Sequence, residues 1–337
     1  MAPPTPVVSF VVQCFNTERF VSDCINSILS QKGSYEWEII AIDDYSSDRT
    51  VQVLESFGDP RLHIIRHEIN QGHGPTIGEA LQAARGRYVA RIDSDDRYRP
   101  EFLATVLPIF ERHGEVGLVY GDAALIDSAG RQNAERCDRQ HGGRDFKGCE
   151  LIELLQENFI CAPTIIARRE CFLRQLPVPS HLAFHDWYFT VKIAREVEFY
   201  YVDAVLADYR VHAGNMHSSI VLNRTEEPSI MWMLNHVYTS SERTDVLQRQ
   251  KTKAKGRVYA RQYLTLADKY FGAFMNSDAR RCYARAIRHQ PQFLIQRGVA
   301  RRFAATLIGR SLYEECKRAW NMRRDLVEFE SGERPRT

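Results

Sequence analysis

The sequence contains no apolar run long enough to cross a membrane. The longest near its start, Val7-Val8-Ser9-Phe10-Val11-Val12, is strand-length, and no basic stretch precedes it. Neither a signal peptide nor an integral membrane span is therefore expected. It also has no CxxC pair. Its eight cysteines (Cys14, Cys24, Cys137, Cys149, Cys161, Cys171, Cys282 and Cys316) sit singly in or near apolar segments. That pattern argues against a disulfide framework and a cysteine zinc site, and for reduced thiols in a cytoplasmic protein. The turn after the first apolar run, Gln13-Cys14-Phe15-Asn16, has no glycine, while Gly72-His73-Gly74 comes only after a third such run. This disfavours a dinucleotide-dependent dehydrogenase, whose glycines belong in the first strand-to-helix turn.

A net charge of one sign is nearly missing as well. The formal charge over 337 residues is +2, and 44% of residues are hydrophobic, an ordinary globular composition. The balance is uneven, however. Residues 1–225 hold 23 Lys and Arg against 31 Asp and Glu, a net of −8; residues 226–337 hold 22 against 12, a net of +10. An acidic body followed by a basic third suggests two modules with different tasks.

What is present is an alternation of strand and helix patterns. Val7–Val12 is continuous and β-branched, as a strand buried on both faces should be. Phe20, Val21, Cys24, Ile25, Ile28 and Leu29 follow at helical spacing, then Glu38–Ile42 as a strand. Ser46-Ser47-Asp48 offers N-cap chemistry to a helix carrying Val51, Leu54 and Phe57. Leu62–Ile65 reads as a strand, Pro75–Ala84 as a helix and Arg87–Ile92 as a strand. This order predicts an α/β fold with a mostly parallel, Rossmann-like sheet flanked by helices. Ligands of such sheets bind beyond the carboxyl ends of the strands. Those ends carry Gln13 to Asn16, Asp43-Asp44 and Asp93-Ser94-Asp95-Asp96. Carboxylates gathered at one edge repel unless a cation or substrate donors neutralise them. Asp93 and Asp95, spaced i, i+2 at a strand end, suit a hard divalent ion. Asp43 or Asp44 can accept from a base imide or a ribose hydroxyl, while Ser47 or Asp48 caps the next helix.

Further on, Val116–Tyr120 and Thr164–Ala167 are expected strands, and residues 128–147 a mobile polar loop. From about residue 226 the pattern is wholly helical. Tyr259 to Pro291 weakly resembles one tetratricopeptide-like hairpin, Leu307–Trp320 reads as a last helix, and the polar residues after Glu328 as a frayed tail. The expected domains are thus 1–225, 226–330 and a tail at 331–337.

Three blocks, VVSFVVQCFNTERFVSDCINSILSQ, WEIIAIDDYSSDRT and NQGHGPTIGEALQAARGRYVARIDSDD, resemble in order and spacing the nucleotide-sugar-dependent glycosyltransferases of family 2, which have the GT-A fold. The resemblance runs over residues 5–122 and resumes at AFHDWYFTVKIA and ADYRVHAGNMHSS. It implies a metal-dependent, inverting transfer from a nucleoside diphosphate sugar, UDP-linked first and dTDP-linked second. The acceptor hydroxyl would lie on a glycan, a lipid-linked glycan, a peptide or a small metabolite, as in polysaccharide biosynthesis. By the same resemblance Gln13, Phe15, Asn16, Glu18, Asp43, Asp44, Asn70, Gly72, Asp93, Ser94 and Asp95 belong to the donor pocket. Asp95, Asp93 and His212 would hold Mn2+ or Mg2+, and Asp186 would be the general base. His185, Trp187 and Arg210 would face acceptor or phosphate.

Each of these has a plainer reading. Asp186 could only cap the helix it begins, Trp187 could be core, and Arg210 could pair with a carboxylate of the acidic edge instead of a phosphate. One departure stands out: Ile77-Gly78 occupy the place where the family often has Arg-Asn, so a cation is missing there. A non-catalytic scaffold that binds a sugar nucleotide and acts through its helical part is the main alternative. The basic surplus of residues 226–337 would suit an acidic acceptor, the inner face of a membrane or a second copy of the chain; no nucleic-acid motif is present.

Overall fold

The computed structural model describes residues 5–137, 140–212, 217–308, 313 and 315. It divides into one unit formed by residues 1–216 with 241–247 and another formed by 217–240 with 248–337. The division falls at 216/217, not at the 225/226 read from composition, and a short segment returns to the first unit. That return is held by buried Glu242, which pairs with Arg195 at 2.9 Å, and by Arg243, which donates to the Glu196 carbonyl.

In the first unit the chain runs β1 (Val8–Cys14), α1 (Val21–Leu29), β2 (Trp37–Asp43), α2 (Thr50–Glu55), β3 (Leu62–Arg66), α3 (His73–Ala83), β4 (Tyr88–Asp93), β5 (Arg97–Tyr98), α4 (Phe102–Arg112), β6 (Val116–Ile126), β7 (Gln132–Ala134), β8 (Phe146–Gly148), α5 (Leu151–Gln156), β9 (Ile166–Arg168), α6 (Arg169–Leu173), α7 (Asp186–Ala194) and β10 (Glu198–Arg210). The sheet order is β3-β2-β1-β4-β9-β6-β10-β5, with β7 beside β6 and β8 beside β10. β3, β2, β1 and β4 are mutually parallel, as are β6 and β10. The short β9 lies antiparallel to both β4 and β6 and joins the two parallel halves. β1 and β2 are buried at every position, which is why their sequences are continuous apolar runs and do not alternate.

The two faces of the sheet are used differently. Phe10 and Val12 of β1, Ala90 and Ile92 of β4, and residues of α1 and α4 share one hydrophobic core. Val11, Gln13, Arg91 and Asp93 alternate with them and face the other way, with Val11 beside Arg91 and Gln13 beside Asp93 across the β1–β4 ladder. Gly86 allows this ladder to start, because a Cβ there would stand 2.4 Å from the Ser9 amide nitrogen.

The expected mobile loop at 128–147 is not irregular throughout. It contributes β7 and β8, and Arg136 pairs with Asp122 at 2.6 Å and with Asp203 at 2.7 Å. His141 likewise meets buried Glu150 at 2.8 Å. Buried carboxylates need partners, and those of Asp122 and Glu150 draw the basic residues of this segment onto the sheet. Residues 138–139 lie outside the described residues, as do 213–216 of the 210–224 segment.

The second unit holds α8 (His217–Leu222), α9 (Glu226–Thr239), α10 (Asp245–Gly272), α11 (Asn276–His289) and α12 (Arg297–Ile308). The expected hairpin falls on α10 and α11. Buried Glu227 of α9 binds it through Arg281, Arg285 and the Tyr270 hydroxyl. Fully buried Lys251 donates to the Val237 and Ser240 carbonyls at the end of α9, replacing the partners that a helix terminus lacks. α12 meets the expected helix at Leu307–Trp320 only at Leu307 and Ile308; the remainder of that helix, apart from isolated positions, and the tail lie outside the described residues. Among the described residues no helix is long and apolar enough to cross a membrane, and no disulfide is formed.

Candidate active site

The carboxyl ends of β1, β2 and β4 are stitched into one rim by side chains from the turns that follow them. Asn16, whose φ of 52° is left-handed, donates its N–H to Ser46 Oγ at 2.9 Å and accepts the Ser47 N–H at 2.8 Å. Glu18 accepts the Arg49 N–H at 3.0 Å, and its own N–H goes to Asp48. Asp48 also accepts from the Thr50 N–H at the start of α2; the N-cap position itself is Arg49, and neither Ser47 nor Asp48 occupies it. The Thr17 and Ser94 hydroxyls meet at 2.8 Å and tie this rim to the Asp93-Ser94-Asp95 turn.

Asp43 and Asp44 are both buried, and both are engaged within the rim. Asp43 accepts from the Ser46 N–H and hydroxyl. Asp44 accepts the Gln71 N–H at 2.8 Å, the Gly72 N–H at 2.9 Å and His67 Nδ1 at 2.8 Å, and Asn70 donates to its carbonyl. Gly72, with φ of 81°, can take this turn where a side chain would be strained. Asn16, Glu18, Asp43, Asp44, Asn70 and Gly72 are therefore engaged with one another and with neighbouring turns in this rim. What they leave facing outward is aromatic: Phe15 is 47% exposed, and Tyr45, held at φ 68°, is 54% exposed. Tyr45 did not stand out in the sequence because a single aromatic in an acidic turn has no periodicity to mark it.

The Asp44–His67 pair gives a testable pH dependence. Burial disfavours the charged imidazole, but Asp44 and Glu79, 3.1 Å from Nε2, outweigh it and raise its pKa. The folded protein thus holds a proton that the unfolded chain releases near pH ~6.5. This stabilisation is complete below that pH and is lost as pH rises through the raised folded value. Thermal melting from pH 6 to 8.5 should fall more steeply in wild type than in His67→Gln; parallel curves would remove His67 as the source.

At the end of β4, Asp95 Oδ2 and His212 Nε2 are 2.9 Å apart, and the His212 ring lies against Phe20 with centroids 4.9 Å apart. Burial pushes the Asp95 carboxyl up, Asp93 adds to this, and His212 opposes it. Asp96 is pushed well up, first by burial and then by Asp95 and Asp93. The expected ligand set of Asp93, Asp95 and His212 is not assembled as three. Among the described residues no three ligating side chains converge, and Asp93 Oδ1 is paired with Arg91 at 3.3 Å. Asp95 and His212 remain as a two-residue set that fits a divalent ion whose other positions are filled from outside the protein.

Arg210 takes the second of its two readings. It is 1% exposed; it donates from Nε to the Asp95 carbonyl at 2.6 Å and from Nη2 to Asp23 at 3.0 Å, and its backbone N–H goes to Asp96. It braces the acidic turn, and Nη1 donates to the Asp127 carbonyl at 3.2 Å. Trp187 is corrected too: only 4% exposed, it donates from Nε1 to the Leu154 carbonyl at 2.7 Å and so belongs to the core, not to a sugar platform. Asp186 begins α7 and keeps a partly open carboxylate, with Asn158 Nδ2 3.2 Å from Oδ2. His185 before it is buried and stacked on His73 at 5.5 Å; burial, then Arg91 and His73, hold its pKa well down, so it is neutral. Ile77, where the resemblance lacked its cation, is fully buried. The buried cation on this side of the turn is Arg91, a signal legible in hindsight as one charge inside an apolar strand.

The model of the family described as Glycosyl transferase family 2 matches residues 9–172. These residues are a family 2 glycosyltransferase domain. The matched span contains the whole rim and both carboxylates of the Asp93-Ser94-Asp95 turn; Asp186 and His212 follow it. The succinoglycan biosynthesis protein ExoO of Rhizobium meliloti is 36% identical over 111 residues, which cover 32% of this chain and 32% of ExoO. The chain thus spans only about a third of such a relative. Two solved structures share the fold across nearly the whole chain. One is residues 1–349 of TarS from S. aureus in complex with UDP-GlcNAc (TM-score 0.64, 17% identity, 93% of this chain and 91% of that one). The other is the mannosyltransferase PcManGT from Pyrobaculum calidifontis with GDP-Man and Mn2+ (TM-score 0.57, 13% identity, 94% and 88%). The sheet and its helices are those of the GT-A fold, followed here by helices.

Proposed function

We propose that this chain transfers a sugar from a nucleoside diphosphate sugar, UDP-linked first, to an acceptor hydroxyl, with inversion and with the help of Mn2+ or Mg2+. The Asp95–His212 pair, set at the rim beside two outward aromatics, carries this reading. Phe15 and Tyr45 offer exposed faces for a nucleobase. Asp186 at the head of α7 accepts the acceptor's proton as its oxygen forms a bond to the anomeric carbon and the carbon–oxygen bond to the diphosphate breaks. A divalent ion at Asp95 and His212 supplies Lewis-acid stabilisation of the leaving diphosphate. UDP-GlcNAc in the TarS structure and Mn2+ in the PcManGT structure support the donor class and the metal. The succinoglycan role named for ExoO favours a growing glycan as acceptor, and the basic surplus of residues 226–337 suits an acidic glycan or an anionic membrane surface beside it.

A melting panel tests the donor. UDP, dTDP, GDP and NAD are each added with Mn2+, with Mg2+ or with EDTA. Stabilisation by a nucleoside diphosphate that disappears with EDTA is the expected result. Stabilisation by NAD alone would overturn the proposal, and equal stabilisation with EDTA would remove the metal from it.

A further inference from the structure

The face of the sheet that carries Arg91 holds three buried polar atoms without hydrogen-bond partners: Gln13 Oε1, Arg91 Nε and His185 Nε2. They belong to one connected group. Gln13 sits beside Asp93 in the ladder and donates from Nε2 to the His73 carbonyl at 3.2 Å; His73 stacks on His185; Arg91 reaches Asp93 with Nη2. Gln13, Arg91 and His185 are all at least nine-tenths buried. Buried polar atoms are nearly always satisfied, so three in one place ask for a ligand. The three differ in kind. Gln13 Oε1 can only accept, Arg91 Nε can only donate and is charged, and neutral His185 offers Nε2 as donor or acceptor according to its tautomer. The matching ligand carries hydroxyl donors and an acidic oxygen at once.

The charge balance points the same way. Asp93 is the anionic partner of Arg91, at 3.3 Å, and its carboxylate is 41% exposed on the rim. If Asp93 turns to a metal or a substrate hydroxyl, the guanidinium is left buried without a counter-charge, a state costly enough that another anion must enter.

We infer that Arg91, with Gln13 and His185, forms an anion-binding subsite for the sugar–phosphate part of the donor, Arg91 holding an acidic oxygen and Gln13 a sugar hydroxyl. This rests on the donor class proposed above. The acidic oxygen has two sources: the diphosphate, or a carboxylate on a uronic acid sugar. Arg91 makes this turn selective for donors by charge, from a strand position instead of from α3, where Ile77 is apolar.

Calorimetric titration of the full chain with Mn2+ and with uridine, UDP, UDP-glucose and UDP-glucuronate decides it, comparing wild type, Arg91→Gln and Arg91→Lys. Loss of one charged hydrogen bond predicts that Arg91→Gln weakens binding about 10- to 100-fold, with uridine unchanged and Arg91→Lys recovering part of the loss. A loss shared by UDP and both UDP-sugars assigns the diphosphate; a loss confined to UDP-glucuronate assigns the carboxylate. Unchanged binding of all four ligands to Arg91→Gln overturns the inference alone. If Arg91→Gln does not fold, Arg91→Lys carries the test, and wild-type affinity for UDP and UDP-glucuronate in that variant overturns the inference. If no nucleoside diphosphate binds wild type in the melting panel, the proposed function fails, and this inference with it.

Discussion

Asp186→Asn should lower turnover by about 10²- to 10⁴-fold, the usual contribution of a positioned general base, and leave nucleotide binding within twofold of wild type. The substitution is close to isosteric. Asn158 still finds an oxygen to donate to, and α7 keeps its buried face of Tyr188, Phe189, Val191 and Ile193. The N-cap position of α7 is His185 and no side chain caps it, so the substitution removes no cap bond, and asparagine is as well tolerated as aspartate at a helix start. This separates the two readings of Asp186. A pure cap predicts normal turnover and normal stability; a base predicts normal stability and collapsed turnover. The measurement is kcat and Kd together with a melting curve. Retained kcat rejects the base, and lost nucleotide affinity moves Asp186 into the donor pocket.

Asp95→Ala should abolish the dependence of nucleotide binding on metal. In wild type, a nucleoside diphosphate with metal at a hundredfold over Kd stabilises the fold by about 2.7 kcal/mol, an amount that should vanish in the variant. The fold itself should survive, because the interactions that brace this turn run through the Asp95 backbone: its carbonyl accepts from Arg210, whose own N–H goes to Asp96. Burial first, and then Asp95 and Asp93, push the Asp96 carboxyl up, so removing Asp95 relieves part of that repulsion and offsets the loss of its pair with His212; the apoprotein should melt close to wild type. Metal-dependent stabilisation that persists in Asp95→Ala would place the ion elsewhere. Loss of nucleotide binding even in EDTA would make Asp95 a direct donor contact.

The part of this site visible in the sequence was the part written in local pattern. β1, β2 and β4 are buried strands of one parallel sheet, and such strands show as largely apolar runs whichever neighbours they have; β3, at the sheet edge, is only partly buried. The helices between them repeat at 3.6 residues for the same reason. Since all four strands run the same way, their carboxyl ends share an edge, and the polar residues that end each run were bound to collect there. The helical character of residues 226–308 was legible on the same grounds.

Other features depended on partners far away in the chain. β9 is three residues long and enters between β4 and β6 antiparallel, which no alternation of strands and helices announces. The segment at 128–147 reads as polar loop because its structure comes from ion pairs to Asp122, Asp203 and Glu150, not from its own periodicity.

By itself, then, the sequence determined the order of elements from β1 to β4, the sheet edge at which their polar ends collect, and the family resemblance carried by the acidic turns. The tertiary structure decided what each charge does there. Asp43 and Asp44 hold the rim together, Arg210 braces the acidic turn, Trp187 packs in the core, and Arg91 lies buried beside Asp93 with an unmatched donor. The reason is physical. Periodicity records whether a position is buried, but the task of a buried polar group is fixed by whichever partner satisfies it, and in a parallel sheet that partner comes from another strand or turn.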